Sequence, residues 1–148
     1  MKKTYDLICE FNQNYPGTVY WRAKKHAALI DKNLNENETV QFAFAAQNNS
    51  AHNHIFDTAV LALTNERIII AQDRIIVGYK INTITPDLYN DMQINAGIFW
   101  GTVTIDTMKE KVIFSNVSKK GLSTIQKNIS SFMMEAKKKY AKEEKDSK

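Results

Sequence analysis

His52 and His54, separated by one residue and followed by Asp57, form the pairing in this chain that most resembles a metal site. Two imidazoles at that spacing can face one ion, but a stable site needs a third or fourth ligand. Residues 47–53 are otherwise polar or small and supply none, so the segment reads as a solvated loop. His26 lies between Ala23 and Ala27 on an apolar helical spacing. No serine or cysteine nucleophile stands in a recognisable context, so His26 reads as a packed histidine rather than a base. Cys9 sits in a short apolar segment, where a thiol behaves as a small hydrophobe. As the single cysteine it excludes an internal disulfide and a thiol-rich metal site. Glycine-rich phosphate loops, nucleophile elbows and metalloprotease helices do not occur. No catalytic, cofactor-binding or metal residue is assigned, no cofactor is expected, and the chain reads as a non-enzyme. A small hydrolase-like or metal-dependent activity using His52, His54 and Asp57 is the enzymatic alternative.

The charge distribution narrows the partners. The net charge of +4 over 148 residues is uneven. Residues 1–38 carry six basic and five acidic side chains, residues 39–117 five and seven, and residues 118–148 nine and four. The basic excess belongs to the C-terminal end, whereas nucleic-acid binding requires it on the folded surface, so no nucleic-acid partner is expected. Lys137, Lys138, Lys139, Lys142 and Lys145 suit a solubilising helix end, where cations are favoured by the helix dipole. Weak contact with an anionic membrane through the same lysines is the alternative. The start of the chain shows no apolar run of signal-peptide type, and no apolar stretch is long enough to span a bilayer. The expected localisation is cytoplasmic, with a peripheral membrane position as the variant of that reading.

Hydrophobic periodicity sets out the elements. Residues 4–12 suit a short helix, ended by Asn14, Tyr15, Pro16 and Gly17. Thr18 is placed to cap a second helix, in which Val19, Ala23, Ala27, Ile30 and Leu34 share a face. From Thr39 the period falls to two. Val40, Phe42 and Phe44 alternate with Gln41 and Ala43, a strand with one buried face. Further strands are expected over 56–63, with Ala59, Leu61 and Leu63 on one side, then 67–71 and 75–81. A segment containing Leu88, Met92 and Ile94 carries an irregularity, and strands over 98–107 and 111–116 follow. Seven short strands joined by tight turns indicate an antiparallel sandwich or barrel. After Ser118 the period returns to helical, and Leu122, Ile125, Ile129, Phe132, Met133, Ala136 and Tyr140 mark one face of a helix over about 119–141. Burial is expected for Ile129 and Phe132.

Seven strands closed by one amphipathic helix is the order of the pleckstrin-homology fold. The run LALTNERIII at residues 61–70 resembles a hairpin of small bacterial pleckstrin-homology domains. Lys80 to Ile84, Gly97 to Asp106 and Lys111 to Val117 resemble later strands of that family in the same order. The resemblance implies a seven-stranded antiparallel β-sandwich or barrel capped by a C-terminal α-helix over residues 39–141. Residues 1–38 then form an N-terminal helical extension, and 142–148 a flexible charged tail. Within the hairpin, Thr64 and Asn65 are suited to bond their own turn, and Arg67 to reach a carboxylate or carbonyl across the ladder.

The resemblance further implies a binding or scaffold role, through a protein or peptide partner that the sequence does not identify. Sheet edges and a groove beside the helix are the surfaces such a partner would use. It does not carry phosphoinositide binding, because residues 39–64, where an anion clamp would stand, contain no lysine and no arginine. The N-terminal apolar face must find a partner surface, since exposing it is costly. Packing within the chain is expected, with Ile98 and Trp100 of the sixth strand as the landing site. Homo-oligomerisation through this arm is the alternative.

Overall fold

A computed structural model describes residues 2–17, 22–48, 58–73 and 78–148. Two helices come first, α1 (Thr4–Asn14) and α2 (Ala23–Lys32). The strands β1 (Val40–Asn48), β2 (Thr58–Thr64), β3 (Ile68–Asp73), β4 (Tyr79–Ile84), β5 (Tyr89–Ala96), β6 (Trp100–Thr107) and β7 (Lys111–Ser118) follow. A single 3₁₀ turn at Lys119–Gly121 leads into α3 (Leu122–Asp146). The strands form one antiparallel sheet in the order β4-β3-β2-β1-β7-β6-β5. Among the described residues β1 meets β7 through two pairs, Gln47 with Ser115 and Asn48 with Phe114. The sheet curls into a half-barrel, whose edge strands are β4 and β5.

The curled sheet and α3 enclose the main core. Its largest fully buried members include Phe44, Leu61, Ile70, Ile105, Phe114, Ile125 and Ile129. Helix α3 presents Leu122, Ile125, Ile129 and Met133 inward at helical spacing. Met133 is 1% exposed, whereas Phe132 is only half-buried. The expectation that Phe132 lies in the core is therefore corrected. The helix rotates about 100° per residue, so seating Met133 four places after Ile129 leaves Phe132 on the shoulder of the helix. Tyr140, also assigned to the inner face, is 55% exposed because the sheet no longer lies beneath it. At the start of α3, a Cβ on Gly101 would stand 2.3 Å from Leu122 Cδ1. Glycine there lets the helix approach β6 closely.

A second apolar layer lies on the other side of the sheet. Ala23, Ala27 and Ile30 of α2 pack with Ile8 of α1 against Val40, Ala43, Ala45, Val60, Ala62, Ile69 and Ala71. The N-terminal arm thus packs within the chain. Its landing site, however, is the outer face of β1–β3 and not the sixth strand. Four of the seven strand positions are alanines, small side chains that let a helix approach the sheet closely. Every residue of β2 is buried as a result, as expected for a strand covered on both faces. The proposed Thr18 cap and Val19 lie outside the described residues, and α2 begins after Arg22, whose φ is 65°.

The first strand departs from its simple alternation. A register shift between Val40 and Phe42 inserts an extra residue and reverses the side-chain parity. Val40 consequently joins the outer layer while Phe42 and Phe44 face the main core. The irregularity expected in β5 is present between Tyr89 and Asp91. Helix α1 connects the two layers: Ile8 belongs to the outer one, and Phe11 reaches the main core, with ring centroids 5.8 Å from Phe42 and 5.9 Å from Phe44. The Tyr15 hydroxyl lies 2.7 Å from Thr124 Oγ1, joining the arm to α3.

Candidate functional site

The LTNER segment of residues 63–67 builds a continuous polar network. Thr64 Oγ1 accepts from the backbone N–H groups of Glu66 and Arg67, each at 3.0 Å, closing the turn between β2 and β3. Asn65 reaches sideways to the linker between α2 and β1. Its Oδ1 accepts from Thr39 N at 2.8 Å, and its own backbone N donates to Thr39 O at 3.0 Å. Asn35 Nδ2 donates to Glu66 Oε2 at 2.8 Å. The hairpin therefore grips the linker by imitating strand pairing.

Arg67 lies at the centre of this grip. Its Nε donates to Glu38 Oε1 at 2.8 Å and its Nη2 to Glu38 Oε2 at 2.9 Å, a two-pronged match of planar guanidinium to carboxylate. Nη2 also donates to Asn33 O at 3.0 Å, and Nη1 to Thr83 Oγ1 at 3.3 Å. The Glu38 carboxylate accepts two further bonds, from Thr64 Oγ1 at 2.7 Å and Asn35 N at 2.9 Å. Burial is the largest single influence on Glu38 and pushes its pKa up. The bonds from Arg67, Asn35 and Thr64, with the Arg67 charge, outweigh it and hold the carboxyl at about 2. Arg67, expected to reach a carboxylate or carbonyl across the ladder, instead meets the Glu38 carboxylate and the Asn33 carbonyl in the α2–β1 linker. A sequence reading that starts the domain at Thr39 passes over it. The available signal was an acidic residue two places before a strand, beside a hairpin arginine with no acidic residue opposite it on β4.

Beside this clamp a groove of about 620 Å³ opens between α3, the β2–β3 turn and the β4–β5 turn. Phe132, Ala136 and Tyr140 give it an apolar floor, with Pro86 opposite. Glu66, Glu135 and Glu143 stand around it with Lys139, while the charge of the lining residue Arg67 is matched by Glu38. The groove is therefore partly apolar and carries an acidic excess. A shallower depression of about 470 Å³ continues along α3 past Glu135 and Phe132 towards Gln41 and Thr124.

Other sequence candidates are dispersed. His52, His54 and Asp57 lie outside the described residues. His26 is fully buried in α2 beneath the outer layer, a packed histidine as read from its spacing. Cys9 is half-buried on α1. Among the described residues no group of three or more His, Cys, Asp or Glu is arranged to hold a metal. Of the C-terminal lysines, Lys137 donates to Tyr89 O at 2.7 Å and lies 5.5 Å from the Tyr89 ring centroid. Lys138, Lys139, Lys142 and Lys145 are exposed. Ile98 and Trp100, expected beneath the arm, are exposed at 82% and 40%, and Phe99 between them at 76%. No described helix is long and apolar enough to cross a membrane.

The family described as bacterial PH domain matches residues 34–131, from the clamped linker to the middle of α3. A crystal structure of a pleckstrin homology domain from Shewanella amazonensis SB2B is similar, at 18% sequence identity and a TM-score of 0.49, covering 79% of this chain and 93% of that one. No curated protein matches the chain.

Proposed function

We propose that this chain, which belongs to the bacterial PH domain family, is a non-enzymatic binding module that takes a peptide segment of a protein partner in the groove beside α3. The observation that carries this reading is the groove itself: Phe132 and Tyr140 are left partly open to solvent beside a clamp that fixes the opposite wall. Aromatic side chains held on rigid elements make good anchors for a partner. The acidic excess of Glu66, Glu135 and Glu143 favours a segment with an apolar side chain next to lysine or arginine. Phosphoinositide recognition is not part of the reading, since β1 and β2 contain no lysine or arginine.

Selection of random displayed peptides on the full chain tests it. The expected peptides carry an apolar residue flanked by basic ones. Their affinity should fall at least tenfold in a Tyr140→Ala, Glu135→Lys double variant, because both positions lie on α3 away from the core. Failure to enrich peptides, or equal binding to the variant, overturns the groove as the site.

A further inference from the structure

The tightest turn of the β5–β6 hairpin exposes three consecutive large apolar side chains. Gly97 N donates to Trp100 O at 2.8 Å, closing the turn around Ile98 and Phe99. Ile98 is 82% exposed, Phe99 76% and Trp100 40%. Such a run at a hairpin tip is uncommon on a monomeric surface and points to contact with something apolar. None of the three joins either core cluster.

The tip has a basic surround. Lys119 N donates to Phe99 O at 3.2 Å, which fixes the exposed pair Lys119 and Lys120 beside the turn. From Met92 to Ile105, and again from Val112 to Met134, the chain contains no aspartate or glutamate. The end of β5, the start of β6, the end of β7 and the first half of α3 thus carry no carboxylate, and the lysines of this region are Lys119 and Lys120 in the 3₁₀ turn and Lys127 on α3. Leu122 contacts Gly101 near the tip, and Lys137 contacts Tyr89 at the far end of β5. The distal lysine cluster from Lys137 onward is therefore separated from the tip by roughly 25 Å of helix, at 1.5 Å per residue.

We infer that the β5–β6 tip is a membrane-docking wedge, inserting Ile98, Phe99 and Trp100 into the interfacial region of an anionic bilayer while Lys119 and Lys120 meet its headgroups. The shape favours lipid over protein. Successive residues at a hairpin tip point in different directions, so a solid partner covers only some of them, whereas a fluid bilayer surrounds all three. Tryptophan also favours the membrane–water interface, and an apolar insertion joined to basic residues is the combination that gives stable peripheral binding. The contact is independent of the groove beside α3. It also differs from attachment through the C-terminal lysines, which lie at the other end of the helix.

Vesicles of phosphatidylcholine with about one-third phosphatidylglycerol, and vesicles of phosphatidylcholine alone, provide the test by co-sedimentation with the full chain. The full chain should bind the anionic vesicles, with a blue shift in tryptophan fluorescence that is absent from Trp100→Phe. An Ile98→Ser, Phe99→Ser variant should bind at least tenfold more weakly at an unchanged melting temperature. Lys119→Glu with Lys120→Glu should weaken binding by a similar factor, since each basic residue near such a surface contributes roughly fivefold and reversal adds repulsion. Lys138→Glu with Lys142→Glu should change it less than twofold. No binding to anionic vesicles, full binding by the tip variant, or loss of binding only in the distal lysine variant would each overturn the wedge. So would a concentration-dependent dimer in light scattering that the tip variant abolishes, which would assign the apolar tip to a second copy of the chain.

Discussion

Two hairpins of this protein invert the usual rule of burial in opposite ways. At the β2–β3 turn a carboxylate, a guanidinium and a threonine hydroxyl are withdrawn from water: the Glu38 side chain is 0% exposed and that of Arg67 19%. At the β5–β6 turn an isoleucine, a phenylalanine and a tryptophan remain in it. Charged groups are rarely buried unless paired, and large apolar groups rarely stand exposed together. The first hairpin resolves its exception internally, because each Glu38 oxygen accepts two hydrogen bonds. The second leaves its exception open. The polar hairpin is consequently part of the architecture, locking the α2–β1 linker so that the outer helices register on β1–β3. The tip of the apolar hairpin adds no side chain to either core cluster and remains free to meet something else.

The sharpest way to break this comparison is to remove Arg67. In Arg67→Ala, the Glu38 carboxylate stays buried without its cation, and such a break costs roughly 3–5 kcal/mol. Chemical denaturation should record that loss as a lower midpoint. A change below about 1 kcal/mol, in the range of exposed ion pairs, would show that the clamp is not structural. Arg67→Lys sharpens the same point: it keeps the charge but cannot make the two-pronged contact or reach Asn33 O and Thr83 as well. An intermediate loss of about 1.5–3 kcal/mol is expected, the range for hydrogen bonds to charged groups. Full stability in the lysine variant would mean that charge alone matters there.

Acid provides a gentler probe of the same hairpin. The carboxyl of Glu38 is lowered from its ordinary value of 4.5 to about 2. Because its folded pKa is depressed, its contribution is complete above about 4.5 and is lost as the pH falls from there through about 2. Stability should therefore decline across that window, and Glu38→Gln should flatten part of the decline while lowering stability at neutral pH. Parallel pH profiles for the two proteins would remove Glu38 as the acid-sensitive group.

The sequence made much of this fold legible, and its failures have physical causes. The two changes of hydrophobic period, near Thr39 and Ser118, mark the passage from helices to strands and back, because a period of two and one of 3.6 place side chains on different faces. Tertiary choices stay hidden. Periodicity places both Phe132 and Met133 on the inner side of α3, and only the packed sheet decides that Met133 enters. The bulge after Val40 reverses its parity without a glycine or proline to announce it. For the arm, large exposed residues such as Ile98 and Trp100 look like the natural landing site, yet the helices settle on small residues. Alanine-rich strands permit close approach, which a count of apolar bulk does not reveal. As for the groove, its walls come from residues as distant as Asn35 and Tyr140, so no local motif could describe it.

The smallest expected effect belongs to the apolar tip, and its smallness is the decisive half of the comparison. Phe99 carries as large an apolar side chain as Phe114, which is fully buried and whose truncation to alanine should cost roughly 3–5 kcal/mol. Phe99→Ser instead removes a ring already 76% exposed, so little burial is lost and the change should lie within about 0.5 kcal/mol, as for surface substitutions generally. The backbone bonds that close the turn, from Gly97 N to Trp100 O and from Lys119 N to Phe99 O, do not depend on the side chain. Removing the ring also reduces the apolar area in water, which should raise solubility. Thermal melting of Phe99→Ser and Phe114→Ala beside the parent chain measures both sides. A loss of several kcal/mol in Phe99→Ser would show that the tip is packed in solution, either on the chain itself or on a second copy. Near-zero change, beside a large loss for Phe114, leaves the phenylalanine at the tip with no role in folding and a surface to fill.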